Sequence, residues 1–345
     1  MTTTDGQEPV PGSRQFGRLV LRHYARPGLL LALTGVSLYL LLPTLVAVFS
    51  SWRSLTQLTW YWAILVVVSE AASLTALWEL DRIALHVKSW FTVACAQLAG
   101  NAAGRILPGG GATATAISVG MLRRAGVEVG QATAALSASA LLQLGATFAL
   151  TLLALPAILW GAPVSHSLIV SAYLGALVLI LLVAAGVLAF AFDRPLAATG
   201  QAVQWLLNRT VHRRRRIVDL PTRLLADRDF VSATIGRRWQ MAVISAAARP
   251  GLDYLALLSS LEAVGARPQP SLVLLAYVGA NLLTLIPFTP GGLGFVEAGL
   301  VGTLTLAGAA PADALLATLV YRLASYWLPI PAGGAAYVAF RRRYP

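Results

Sequence analysis

Predominantly apolar stretches recur along this chain, near residues 27–49, 60–80, 90–107, 113–122, 130–160, 167–192, 239–262, 271–288, 294–309 and 313–340. A helix of ~20 apolar residues crosses the ~30 Å of bilayer hydrocarbon, so several of these segments predict spanning helices. One of them is too short. Residues 113–122 lie between Pro108-Gly109-Gly110-Gly111 and Arg123-Arg124, and as a helix they cover only ~15 Å, about half the hydrocarbon.

Two arrangements accommodate it: one broken helix crossing from 90 to 124, or a re-entrant hairpin that returns to its starting face. Basic residues discriminate between them, because cytoplasmic loops concentrate Arg and Lys. With the N-terminal tail inside, the hairpin keeps the tail arginines, Arg82, Lys88, Arg123, Arg124, the run Arg213–Arg216 and Arg341–Arg343 on one side, whereas the broken helix exports the tetra-arginine run. The hairpin is the better reading. Around Pro290-Gly291-Gly292 a second apolar stretch breaks and resumes, and the same topology makes this hairpin enter from the opposite face. Gly100-Asn101 and Ala280-Asn281 precede the two breaks at similar spacing, and Gly111 and Gly294 follow them. Chance recurrence among 30 Gly and 18 Pro is the competing explanation, and the matched context weighs against it. The expectation is an all-α polytopic membrane protein with about six full spanning helices plus two re-entrant Pro-Gly-Gly hairpins in inverted repeats. The repeats cover about 60–160 and 239–340 of a single membrane domain, 27–345, which follows a basic cytoplasmic tail, 1–26, and is divided by a basic cytoplasmic loop, 193–238.

Composition agrees. The 345 residues are 57% hydrophobic and 12% charged, with a mean hydropathy of +0.71, a balance foreign to a water-facing surface. The net charge of +12 sits in short clusters beside apolar runs, which argues against nucleic acid. No small-residue cleavage signature follows the first apolar run, so the tail is expected to be retained, with both termini cytoplasmic. Cys95 is the single cysteine and four histidines are scattered, so neither a disulfide nor a metal site nor any cofactor is expected. Within the basic loop, Leu196 to Leu207 reads either as an interfacial helix on anionic headgroups or as a solvated connector.

Broken backbone at membrane depth implies a polar cavity, and half-helix N-termini offer it free N–H groups. The residues expected around it are Pro108, Gly109 and Gly110 at the first break and Pro290, Gly291, Gly292 and Gly294 at the second. Ionisable residues at this depth need a reason. Glu297, early in the returning half-helix, suits a cationic headgroup group or a proton; helix-dipole compensation is the alternative. Arg322 suits a phosphate, or a structural pair with Glu297. Arg105, just before the first break, either neutralises a passing headgroup or snorkels. Asp253 lies four residues after Arg249, which favours an internal ion pair beside Pro250. Glu70 precedes Pro108 by nearly the distance at which Asp253 precedes Pro290, which suggests a symmetric acidic pair. Asn101 and Asn281 suit either freed backbone carbonyls or a substrate, with the structural role favoured.

The run Pro287-Phe288-Thr289-Pro290-Gly291-Gly292-Leu293-Gly294-Phe295-Val296-Glu297-Ala298-Gly299-Leu300, then Leu319-Val320-Tyr321-Arg322 and Tyr326-Trp327-Leu328-Pro329-Ile330-Pro331, resembles the transmembrane (flippase) domain of lysylphosphatidylglycerol synthases and their stand-alone relatives. The run from Leu107 to Gly126 is similar to the bacterial stand-alone branch. The resemblance covers about residues 27–343 and implies a lipid flippase fold in a bacterial cell membrane, with Pro290, Gly291, Gly292, Gly294, Glu297 and Arg322 at its motif positions. Many relatives carry an acid and then an Arg after the first Pro-Gly, where this chain has Ala112-Thr113-Ala114-Thr115, so a different substrate is expected. The aminoacyl-transferase domain of the full synthases is expected to be missing, and the chain to be no enzyme.

The leading expectation is therefore a transporter of membrane lipids, passing a phospholipid or polyprenyl/glycolipid headgroup between the repeats while the tails stay in the bilayer. No phosphate-cradling Gly-x-x-x-x-Gly-Lys loop is present, so the lipid gradient, protons or ions would drive it. An intramembrane lipid-modifying enzyme and a non-transporting accessory subunit are the alternatives, and a homodimer is compatible with the sequence.

Overall fold

A computed structural model describes residues 60–107, 110–154, 164–210, 219–285 and 294–344. The described residues are helical throughout, with no strand. In chain order the helices are α1 (Trp60–Leu85), α2 (Trp90–Ile106), α3 (Gly110–Arg124), α4 (Val129–Ala149), α5 (His166–Ala191), α6 (Asp193–Thr210), α7 (Leu220–Gly236), α8 (Trp239–Ala263), α9 (Pro270–Thr284), α10 (Phe295–Leu306), α11 (Pro311–Arg322) and α12 (Pro329–Arg343). Four stretches are long and apolar enough to span: Trp60–Leu85, Val129–Ala154, His166–Ala191 and Trp239–Ala263. The expected helix at 27–49 lies outside the described residues.

The expected last span, 313–340, is interrupted: α11 and α12 are joined by a π-helical turn, Leu323–Trp327, closed by the Leu328 N–H on the Leu323 carbonyl at 2.9 Å. Proline explains the widening. Pro329 has no N–H for the ordinary helical register, and a π register lets the chain step past it.

Both predicted breaks lie between antiparallel helices. In the first pair, a Cβ at Gly100 would fall 2.1 Å from Ser118 Oγ and 2.7 Å from the Ala114 carbonyl, and one at Gly104 would fall 2.7 Å from the Gly110 carbonyl. Backbone meets backbone because these positions carry no side chain. In the second pair Gly299 packs on Leu283 and Gly279 approaches Thr303, whose hydroxyl reaches the Ala276 carbonyl at 3.3 Å. With 17 and 15 residues in α2 and α3, and 15 and 12 in α9 and α10, each arm is ~18–26 Å long, short of the ~30 Å of hydrocarbon. Gly110 (φ +49°) and Gly294 (φ +76°) open the two returning helices in the left-handed region that glycine enters without strain.

The long helices α1 and α8 pack against each other at the centre. One apolar core gathers α2, α3, the start of α4 and Phe340 of α12; another gathers α8, α9, α10, α11 and α5. Outward, α5 exposes Leu174, Leu177, Ile180, Leu181 and Val187, a surface suited to acyl chains. The basic connector is helical: α6 contains the expected Leu196–Leu207 element and packs on α7. The tetra-arginine run lies outside the described residues.

Candidate functional site

Glu297 occupies the first turn of α10 and Arg322 ends α11, and both are almost buried. Arg322 Nε donates to Glu297 Oε1 at 2.7 Å. Arg322 Nη2 is also 2.7 Å from that oxygen, near enough for charge attraction but not aligned as a hydrogen bond, so among the described residues Nη2 and Glu297 Oε2 both remain buried without a hydrogen-bond partner. The pair therefore holds one unused donor and one unused acceptor side by side, and buried polar groups left in that condition are uncommon.

The π turn supplies the link to the first hairpin. Arg322 lies 4.5 Å from the Tyr326 ring centroid, and Arg105, one residue from the end of α2, lies 4.9 Å from the same ring. Arg105 also donates Nη1 to the Tyr326 carbonyl, and the Tyr326 hydroxyl donates back to the Arg105 carbonyl at 3.1 Å. In a π register the N–H for the Tyr326 carbonyl would be that of Pro331, which has none. A single tyrosine thus joins the arm entering the first break to Arg322 of α11, whose partner Glu297 lies on the arm leaving the second.

Asp253 of α8 accepts from Tyr277 at 2.6 Å and from Tyr321 at 2.9 and 3.0 Å. Glu70 of α1 lies beside it, buried, with Oε1 unpartnered. The ion pair expected between Arg249 and Asp253 does not form. Arg249 instead donates Nε to Gln143 Oε1 at 2.8 Å and Nη1 to Ser73 Oγ at 3.3 Å. Side chains from neighbouring helices outcompete the partner one turn away.

Glu70, Arg105, Asp253, Glu297 and Arg322 are thus brought into one buried polar cluster between the two hairpins. Asn281 sits at its edge and donates to the Tyr277 carbonyl, one turn earlier on α9, at 2.9 Å; Asn101 lies half-buried on α2. Gly110 and Gly294 begin the returning arms, while Pro108, Gly109, Pro290, Gly291 and Gly292 lie outside the described residues. Sequence reasoning missed Tyr277, Tyr321 and Tyr326 as site residues. For Tyr326 a signal existed: an aromatic just before Pro329 and Pro331, where the helix register must change.

These features define a polytopic α-helical membrane protein with a charged cluster buried among its helices. Residues 28–333 match the lysylphosphatidylglycerol synthase transmembrane region, and the chain belongs to that family. It therefore has a role connected with membrane lipids, and the matched part is the membrane region of the synthase. Among curated proteins, no sequence matches the chain.

Proposed function

We propose that this protein moves the polar headgroup of a phospholipid or related lipid across a bacterial cell membrane, through a passage between two re-entrant hairpins arranged as inverted repeats. The observation that carries the proposal is the half-satisfied Glu297–Arg322 pair. A structural ion pair of this burial would be expected to satisfy both partners, whereas a pair that opens for a headgroup needs a free donor and a free acceptor. A phosphate takes Arg322 Nη2 and then Arg105, whose planar guanidiniums suit its oxygens. A headgroup amine or hydroxyl takes Glu297 Oε2. The acyl chains remain outside, against apolar faces such as that of α5.

Short helical arms and the distribution of arginines support re-entrance, with both termini in the cytoplasm. The test is lipid movement by the purified protein in liposomes carrying a panel of head-labelled lipids. The parent is expected to move at least one anionic or zwitterionic lipid, and Glu297→Gln to slow it at least tenfold. No movement of any lipid by the parent would overturn the proposal, and covalent change of a lipid would favour an intramembrane enzyme.

A further inference from the structure

Beside the Glu297–Arg322 pair the cluster holds a second pair of acids. Glu70 on α1 and Asp253 on α8 lie beside each other where the two long helices pack together, one turn beyond the Ser73–Arg249 hydrogen bonds that tie those helices. Asp253 uses both oxygens as acceptors, Oδ2 for Tyr277 of α9 and Oδ1 and Oδ2 for Tyr321 of α11. Glu70 is only 6% exposed and, among the described residues, receives no donor and keeps Oε1 unpartnered. Ionised carboxylates accept only, so two acids buried side by side repel unless one of them carries a proton. Asp253 already has two tyrosine donors that suit its ionised form, and that leaves Glu70, which has none, to carry the proton.

We infer that Glu70 and Asp253 form a proton-binding site that couples proton movement to the passage of an anionic headgroup through the adjacent arginine cluster. This deepens the lipid-transport reading and rests on it.

Charge balance supplies the coupling. The charged groups acting on Glu70 are Asp253 and Arg249 of α8 and Arg105 of α2. Beyond Arg105 stand Arg322 of α11 and Glu297 of α10. Among the other elements on α1, α4 offers the neutral Gln143, the π turn offers Tyr326, and α7 meets α1 through Ile235 near Leu80 and Ile83. Asp81 lies about three turns along α1 from Glu70, where Gln97 bonds it. With Glu70 protonated, three arginines face two carboxylates and the cluster has an excess positive charge; with Glu70 ionised, the excess is gone. An anionic headgroup is therefore bound by the protonated form and released when the proton leaves. Proton and lipid travel in the same direction. A sodium ion is a poor substitute, because the tyrosine hydroxyls already occupy the Asp253 oxygens it would need.

Two measurements on the full chain test this. In pH-difference infrared spectra of purified protein in vesicles, a protonated-carboxyl C=O band is expected to titrate in the parent, to vanish in Glu70→Gln and to shift in Asp253→Asn. An unchanged band in Glu70→Gln overturns the inference whether or not lipid moves. In proteoliposomes, for the labelled lipid that the parent moves, one proton per lipid makes a one-unit pH gradient shift the steady-state distribution about tenfold toward the alkaline side. Glu70→Gln abolishes that shift. Movement indifferent to the pH gradient, or driven by a sodium gradient instead, overturns the inference. Failure of the parent to move any lipid sinks the transport reading, and the infrared band then decides the proton site by itself.

Discussion

Removing either member of the Glu297–Arg322 pair leaves the other charge nearly buried and uncompensated. At 2.7 Å and an effective dielectric of about 20, the attraction is ~6 kcal/mol before desolvation is subtracted. Breaking buried pairs from one side typically costs about 3–5 kcal/mol. We therefore expect Glu297→Gln and Arg322→Met each to destabilise the protein by about 3 kcal/mol or more. The double variant leaves no orphaned charge and should be no less stable than either single one, a coupling of about 3 kcal/mol. Equilibrium unfolding in mixed micelles, followed by loss of helical circular dichroism as a denaturing detergent is added, measures all four proteins. Losses that add to within about 0.5 kcal/mol would refute the pair, since independent sites behave that way.

Other substitutions probe the surrounding framework by the same unfolding measurement. Gly100→Val places a Cβ 2.1 Å from Ser118 Oγ and should cost about 1–3 kcal/mol or prevent the first hairpin from closing; Gly120→Ala, with nothing within 4 Å, should be neutral. Tyr326→Leu removes the ring shared by Arg105 and Arg322 and should cost more than Tyr326→Phe, which loses only the hydroxyl bond to the Arg105 carbonyl, about 1 kcal/mol. Equal losses would mean that the ring contributes nothing. Asp81→Leu strands the Gln97 amide, which donates to Asp81 at 2.5 Å, and should cost about 1–3 kcal/mol, whereas Asp81→Asn keeps an acceptor and should be tolerated.

The short paired helices on either side of each break were legible because a Pro-Gly break limits helix length, a signal that a linear sequence carries directly. Glu297, Arg322, Arg105, Asp253 and Glu70 were legible for a related reason: an ionisable side chain in an apolar run needs a partner, and partners converge. Which partner was not legible. The spacing of Arg249 and Asp253 made them neighbours on one helix, yet Gln143 and Ser73 claim the arginine and two tyrosines claim the aspartate. Those competitors come from four other helices, so only tertiary structure reveals them. The π turn was hidden for another reason. Residues 313–340 are apolar enough to read as one rod, and the register change at Pro329 alters hydrogen bonding without altering hydropathy.

The central claim is that a headgroup passes through the cluster bounded by Glu297, Arg322 and Arg105. Its most direct measurement is the initial rate at which a head-labelled lipid leaves the inner leaflet of proteoliposomes, compared for the parent, Glu297→Gln and protein-free vesicles. The parent rate should lie well above that of protein-free vesicles and the variant rate at least tenfold below the parent; equal rates for parent and Glu297→Gln would mean that the headgroup does not use this path.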